Sequence, residues 1–166
     1  MKAKEIFIPA LVGTTFMTVF SHLIGDIEQE NFSEPDLLAK LFNRLVKESP
    51  KELSTIVGWN AHYLVGALFA SVYAELWDKE KLKPTVKNGL LLGGVSGIAA
   101  IAVWGATFKL HPAPPGINFK KYYTQLWFAH IVFGVCATLA YKMIKDHEQK
   151  KQLEANDQKY LSTVRP

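Results

Sequence analysis

A chain of 166 residues with a net charge of +4 and a mean hydropathy of +0.06 has the averages of one soluble domain. The averages mislead, because the charge is segregated into the segments between long apolar runs, and that arrangement accounts for the positive balance without nucleic-acid binding. A single cysteine, Cys136, excludes an intrachain disulfide, and no phosphate loop, zinc-protease motif or serine nucleophile elbow is present.

The first run, Ile6 to Ile24, contains no Asp, Glu, Lys or Arg. It is close to the roughly 20 residues that cross a hydrocarbon core of about 30 Å. Lys2 and Lys4 precede it as they would in a signal peptide. The residues that follow, Ser21 to Ile24, lack a small-x-small cleavage pattern, so a permanent helix over about 6–24 is expected. In the long connection that follows, "SEPDLLAKLFNRLVKES" opens with Ser33 as a capping residue and Pro35 in the first turn. Leu37, Leu38, Leu41, Phe42, Leu45 and Val46 recur at helical spacing, which predicts an amphipathic helix over about 34–48, too charged to span. Such a helix lies along the interface or over the mouth of a helix bundle.

"SPKE", Ser49 to Glu52, is a second helix start, so the next helix begins in water and enters lipid near Trp59. Its span, about 56–77, carries only Glu75. The third, about 88–109, is uncharged from Gly89 to Phe108 and holds Gly89, Gly93 and Gly97 at intervals of four. That ridge lets another helix approach closely, and it is the expected docking face for a second copy or a membrane-complex partner. "HPAPPGINF" makes a stiff turn into the fourth span, about 121–142, and a charged tail over 146–166 ends the chain as a helical extension or an irregular segment. Trp59, Trp77, Tyr122, Tyr123 and Trp127 fall at depths where interfacial aromatics are common.

The fold class that follows is all-α: an integral membrane four-helix antiparallel bundle over 1–145, plus a short interfacial helix. Twelve of the 19 basic residues belong to the N-terminus, the second connection and the tail, which favours both termini in the cytoplasm.

The strings "WNAHYLVG" and "WFAHIVFG" stand 68 positions apart, in the second and fourth spans. At the same offset Ala61 matches Ala129 and Tyr73 matches Tyr141. Trp59, His62, Gly66 and Tyr73 fall within roughly 60° of one helix face, as do their counterparts, which suggests two pseudo-repeated hairpins. Connectivity alone puts His22, His62, His111 and His130 toward one membrane face, the extracytoplasmic one in this orientation.

Imidazoles within spans are costly and commonly ligate iron, zinc or copper. His62 and His130 are therefore candidate ligands for a b-type haem, with Gly66 and Gly134 leaving room for a flat macrocycle. The alternative is a transition metal held by His22, His62, His111, His130 and Asp26. Two further readings need no cofactor: a structural or accessory subunit whose histidines only hydrogen-bond between helices, or a small oligomeric transporter. The last ranks lowest, since no span carries a pair of opposite charges.

"AHYLVGALFASVY" and "AHIVFGVCATLAY" resemble a family of small, uncharacterised bacterial inner-membrane proteins with four helices and a histidine–glycine stripe in the second and fourth. The resemblance implies that fold and location. It brings no activity, and the long first connection and "HPAPP" fall outside it.

Overall fold

The computed structural model describes residues 2–47 and 49–164, with side chains as far as 160. Among these residues it contains five helices and no strand: α1 (Lys4–Glu28), α2 (Glu34–Leu45), α3 (Lys51–Asp78), α4 (Val86–Leu110) and α5 (Phe119–Val164). The four longer helices are each long and apolar enough to cross a membrane, as a polytopic membrane protein requires. Helices α1, α3 and α4 exceed their expected spans by a few residues at each end, and α5 extends far beyond its own into the tail, because a hydropathy count stops at the first charge and backbone hydrogen bonding does not.

Several helix ends differ from expectation. Ser33 occupies the cap of α2 without using its hydroxyl, and Pro35 lies in the first turn as the sequence suggests. Helix α3 starts one residue later than "SPKE" implies, with Pro50 as its cap. The end expected for α2 at residue 48 lies outside the described residues, as do Met1, Arg165 and Pro166. Helix α5 runs through residue 145 without a break, since no Gly or Pro interrupts Tyr141 to Val164.

The outward surfaces of the four long helices are apolar. Phe7, Leu64, Ile98 and Val103 are each 65% exposed. The inward surfaces mix apolar residues such as Met17, Tyr73, Leu126 and Phe133 with polar ones: Thr14, Thr18, Ser21, His62, Ser96, Gln125, His130 and Thr138 are all buried. An exterior this apolar departs from the pattern of a water-soluble protein and suits helices whose solvent is hydrocarbon.

Helix α1 packs against α3 and α5, α4 packs against α5, and α2 lies on α3. The contact pairs run in opposite directions along each helix pair. Thr18 meets His62 while Thr14 meets Gly66, and Ser21 connects to Gln125 while Glu5 meets Lys145. On α4, Gly89, Gly93 and Gly97 lie against Thr138, His130 and Trp127 in turn.

The glycine ridge is therefore occupied inside the chain. A Cβ on Gly93 would stand 2.5 Å from the His130 carbonyl oxygen, and one on Gly97 would stand 3.1 Å from the Trp127 Cα. The ridge docks α5, and a partner or second copy would have to use another face. Trp77 and Tyr122 are likewise packed between helices and do not form an outward belt.

Helices α3 and α4, though consecutive, barely touch. One hydrogen bond, 2.7 Å between the Tyr73 and Ser96 hydroxyls, joins them. Away from it, toward the α2 side, they diverge.

Candidate functional site

The divergence of α3 and α4 opens a cavity of about 420 Å³ that reaches from the apolar outer surface to the middle of the helices. Its volume is within the range of roughly 300–1,000 Å³ common to small-molecule sites. Leu68, Val72 and Val103 form its outer rim, and Phe69, Phe133 and Trp104 line its walls. Its polar groups are few: Thr14, His62, His130, Thr107 and Glu34. Among the described residues no Lys or Arg lines it.

Helix α1 supplies Thr14 and Thr18 one turn apart on its inward face. The Thr18 hydroxyl donates to the Thr14 carbonyl at 2.7 Å, a common use of threonine inside a helix. Its single proton is thereby spent, so Thr18 Oγ1 accepts from His62 Nε2–H at 2.9 Å. The tautomer follows: His62 keeps its lone pair on Nδ1. His130 is held differently. Its Nδ1–H donates to the Leu126 carbonyl of its own helix at 2.9 Å, which leaves the lone pair on Nε2. The Phe69 ring meets the His130 ring edge-on at 5.6 Å.

The two histidines thus share a cavity but not a role. His62 ties α1 to α3, as polar groups between membrane helices commonly do. His130 makes no hydrogen bond to another helix.

The glycines do not leave the expected room. The space beside Gly66 is filled by Thr14 Oγ1, and that beside Gly134 by the backbone of Gly89 and Gly93. Gly66 still borders the cavity; Gly134 does not. Gly134 serves close helix approach, because two backbones meet there and a side chain would separate them, whereas Gly66 makes room for the Thr14 side chain.

The wider metal set is scattered. His111 Nε2–H donates to the Leu41 carbonyl at 3.1 Å, and its Nδ1 accepts from Ala113 N–H at 3.1 Å, so both nitrogens are used. His22 and Asp26 line a separate depression facing the first connection, with Ser21, Asn31, Ser33 and Asp36. Among the described residues no three His, Cys, Asp or Glu side chains converge on one point.

Glu34, in the first turn of α2, was not foreseen as a site residue. It is 2% exposed and borders the cavity. The Ser21 hydroxyl donates to its Oε1 at 2.9 Å, and Gln125 Nε2 donates to Ser21 Oγ at 2.6 Å. Burial pushes the Glu34 carboxyl up to about 7, against the opposing pull of its own backbone N–H, the Ser21 hydroxyl and the Gln125 amide. Glu34 Oε2, Gln125 Oε1, the Tyr122 hydroxyl and Ser33 Oγ are buried with no protein partner. An acidic residue in the first turn of a helix reads as an ordinary dipole partner, so no sequence signal singles it out. The Thr14, Thr18, Ser21 stripe at helical spacing did offer a signal for the inward face of α1.

Comparison of the chain with family models, with curated proteins and with solved structures finds no match, which adds nothing to the family resemblance. The site's chemistry therefore rests on its own geometry.

Proposed function

We propose that this polytopic membrane protein binds a lipophilic ligand drawn from the bilayer, with His62 and His130 at the inner end of the site. The observation that supports it is the lipid-open cavity between α3 and α4, in whose mostly apolar wall the His130 Nε2 lone pair has no protein partner among the described residues. A lone pair that faces an apolar space, away from water, is costly unless something meets it. The protein surrounding the cavity is an antiparallel four-helix bundle of two pseudo-repeated hairpins. It resides in a bacterial inner membrane with both termini cytoplasmic, as the distribution of basic residues favours.

One observation favours a b-type haem as the occupant. His130 donates its Nδ1–H to a backbone carbonyl, the arrangement that orients an axial histidine and raises its basicity. Haem brings its own ring nitrogens and needs only axial ligands, whereas a bare zinc ion needs three or four protein donors that do not converge here. Against haem stands the absence of Lys or Arg around the cavity to meet its propionates, and the neutral ligand ranks first for that reason.

The test is gentle purification from haem-replete cells, with an absorption spectrum and mass spectrometry of an organic extract. The ligand reading expects a small apolar compound near one per chain, lost in His130→Ala. A visible haem band that disappears in the same variant identifies the metal cofactor. A colourless protein rejects haem. A protein whose extract holds bulk phospholipid alone, unchanged by His130→Ala, rejects ligand binding and leaves a structural subunit with histidines as interhelical glue.

A further inference from the structure

The hydrogen-bonding state of the cavity's polar groups carries information about what they would bind. Both imidazoles spend their N–H on the protein: His62 on Thr18, His130 on Leu126. Each is left with a lone pair and can only accept. The other unpartnered polar atoms of the cavity lining are Glu34 Oε2 and Thr14 Oγ1, a hydroxyl that can donate or accept; Thr107 spends its proton on the Val103 carbonyl. A ligand matched to the two imidazoles and Glu34 donates hydrogen bonds, and among the described residues an anionic head group finds no cation in the wall.

The spacing is informative too. On α1, Thr18 (at His62) and Ser21 (at Glu34) are three residues apart, and on α5, Gln125 and His130 are five apart. At 1.5 Å rise per residue the two polar spots are separated by roughly 5–8 Å along the helices, the scale of one six-membered ring with substituents at opposite ends. Phe69, Phe133 and Trp104 supply aromatic walls between them. The remaining opening, between Leu68 and Val72 of α3 and Val103 of α4, leads into the apolar outer surface.

Resting on the ligand reading above, we propose that the cavity takes a hydroquinone-class lipid: a neutral aromatic diol whose hydroxyls face the histidine pair at one end and Glu34 at the other, with an aliphatic tail leaving between α3 and α4. Binding alone is assigned; no bond is made and no electron moves. The near-neutral titration of Glu34 fits this environment, since an acid form and a carboxylate are both accessible to meet a phenol. The groups facing Glu34 are Ser21 of α1 and Gln125 and Tyr122 of α5. His22, Asp26, Glu30 and Asp36 line the adjoining depression on the other side of Ser21 and Ser33.

The experiment is equilibrium binding of decylhydroquinone, kept reduced with ascorbate, to the full chain in detergent, beside its dimethyl ether. The ether has the same ring and tail but no donor. The diphenol is expected to bind at least about tenfold more tightly, the scale of leaving buried acceptors unmet. His130→Phe and Glu34→Leu should each bring the ratio of diphenol to ether affinity toward one, with helicity and monodispersity certifying that the variants are folded. Equal affinity for diphenol and ether overturns the donor assignment while the cavity remains a ligand site. Binding of neither by helical, monodisperse protein overturns the ligand reading itself.

Discussion

Glu34 makes the position of α2 sensitive to pH. Its buried carboxyl titrates near 7, above the ordinary 4.5, with burial as the main cause. The docked state therefore holds more protons than the undocked one between those values. The stabilisation is complete below about pH 4.5 and is lost as pH rises through 7, to a total of about 3 kcal/mol at most. Amide exchange in the first turn of α2, corrected for intrinsic rates, should rise between pH 5.5 and 8 in the wild type and stay flat in Glu34→Gln. The same slope in both proteins would show that Glu34 is not its source. The histidines differ at this scale as well. His62→Leu should weaken the α1–α3 contact by about 1 kcal/mol in a detergent unfolding titration, because its bond crosses between helices. His130→Leu should cost less, because its bond stays within α5.

Among the elements, α4 and α5 depend on small residues. Gly93→Ala places a Cβ 2.5 Å from the His130 oxygen and 2.7 Å from the Ile131 Cα, both backbone atoms that cannot swing aside. A loss of about 1–3 kcal/mol is expected in unfolding experiments. Gly116→Ala, with nothing within 4 Å of the new methyl, is the matched control. If the two variants unfold alike, the α4–α5 crossing is looser than described. Helix α2 is held at both ends: Glu34 meets Ser21 at its start, and at its far end Leu41 accepts from His111 while Arg44 donates to the Ala113 carbonyl at 2.9 Å. Gly58 of α3 seats its middle, with the Cβ position 2.7 Å from Ala39 N. Helix α5 is anchored beyond its apolar part. Lys145 pairs with buried Glu5 at 2.7 Å, and Glu148 pairs with Lys4 at 2.6 Å and Lys2 at 2.8 Å. Lys145→Met strands the Glu5 carboxylate and should destabilise the protein by about 1–3 kcal/mol, the water-accessible lysine keeping the effect modest.

At the scale of the molecule, four long helices with apolar outer surfaces predict alternating connections on opposite sides of a bilayer. In a Cys136→Ala background, Lys47→Cys and Gly116→Cys should react with an impermeant thiol reagent in intact cells. Lys81→Cys should react only after the membrane is opened. Labelling of all three alike would break the four-span topology. The reverse pattern would keep the spans and invert the orientation. The opening between α3 and α4 belongs to this scale as well, because it exists only where two helices joined by a short turn are held apart by their separate attachments to α1 and α5.

The number of membrane-compatible helices and their approximate limits were legible in one dimension. Each depends only on the length of an apolar run measured against the thickness of a bilayer. Which way a membrane helix faces was much less so. Lipid and helix interior are both apolar, so the contrast that marks a buried face in a soluble protein is nearly absent. Gly89, Gly93 and Gly97 consequently announced a close approach without saying to what, and α5 took it. The paired histidines looked equivalent because their neighbours in sequence match. Thr18, 44 positions from His62, and the carbonyl of Leu126 made them different. Glu34 became a buried acid only because α1, α2 and α5 close around it. Those assignments depend on contacts between distant segments, and only the packed helices decided them.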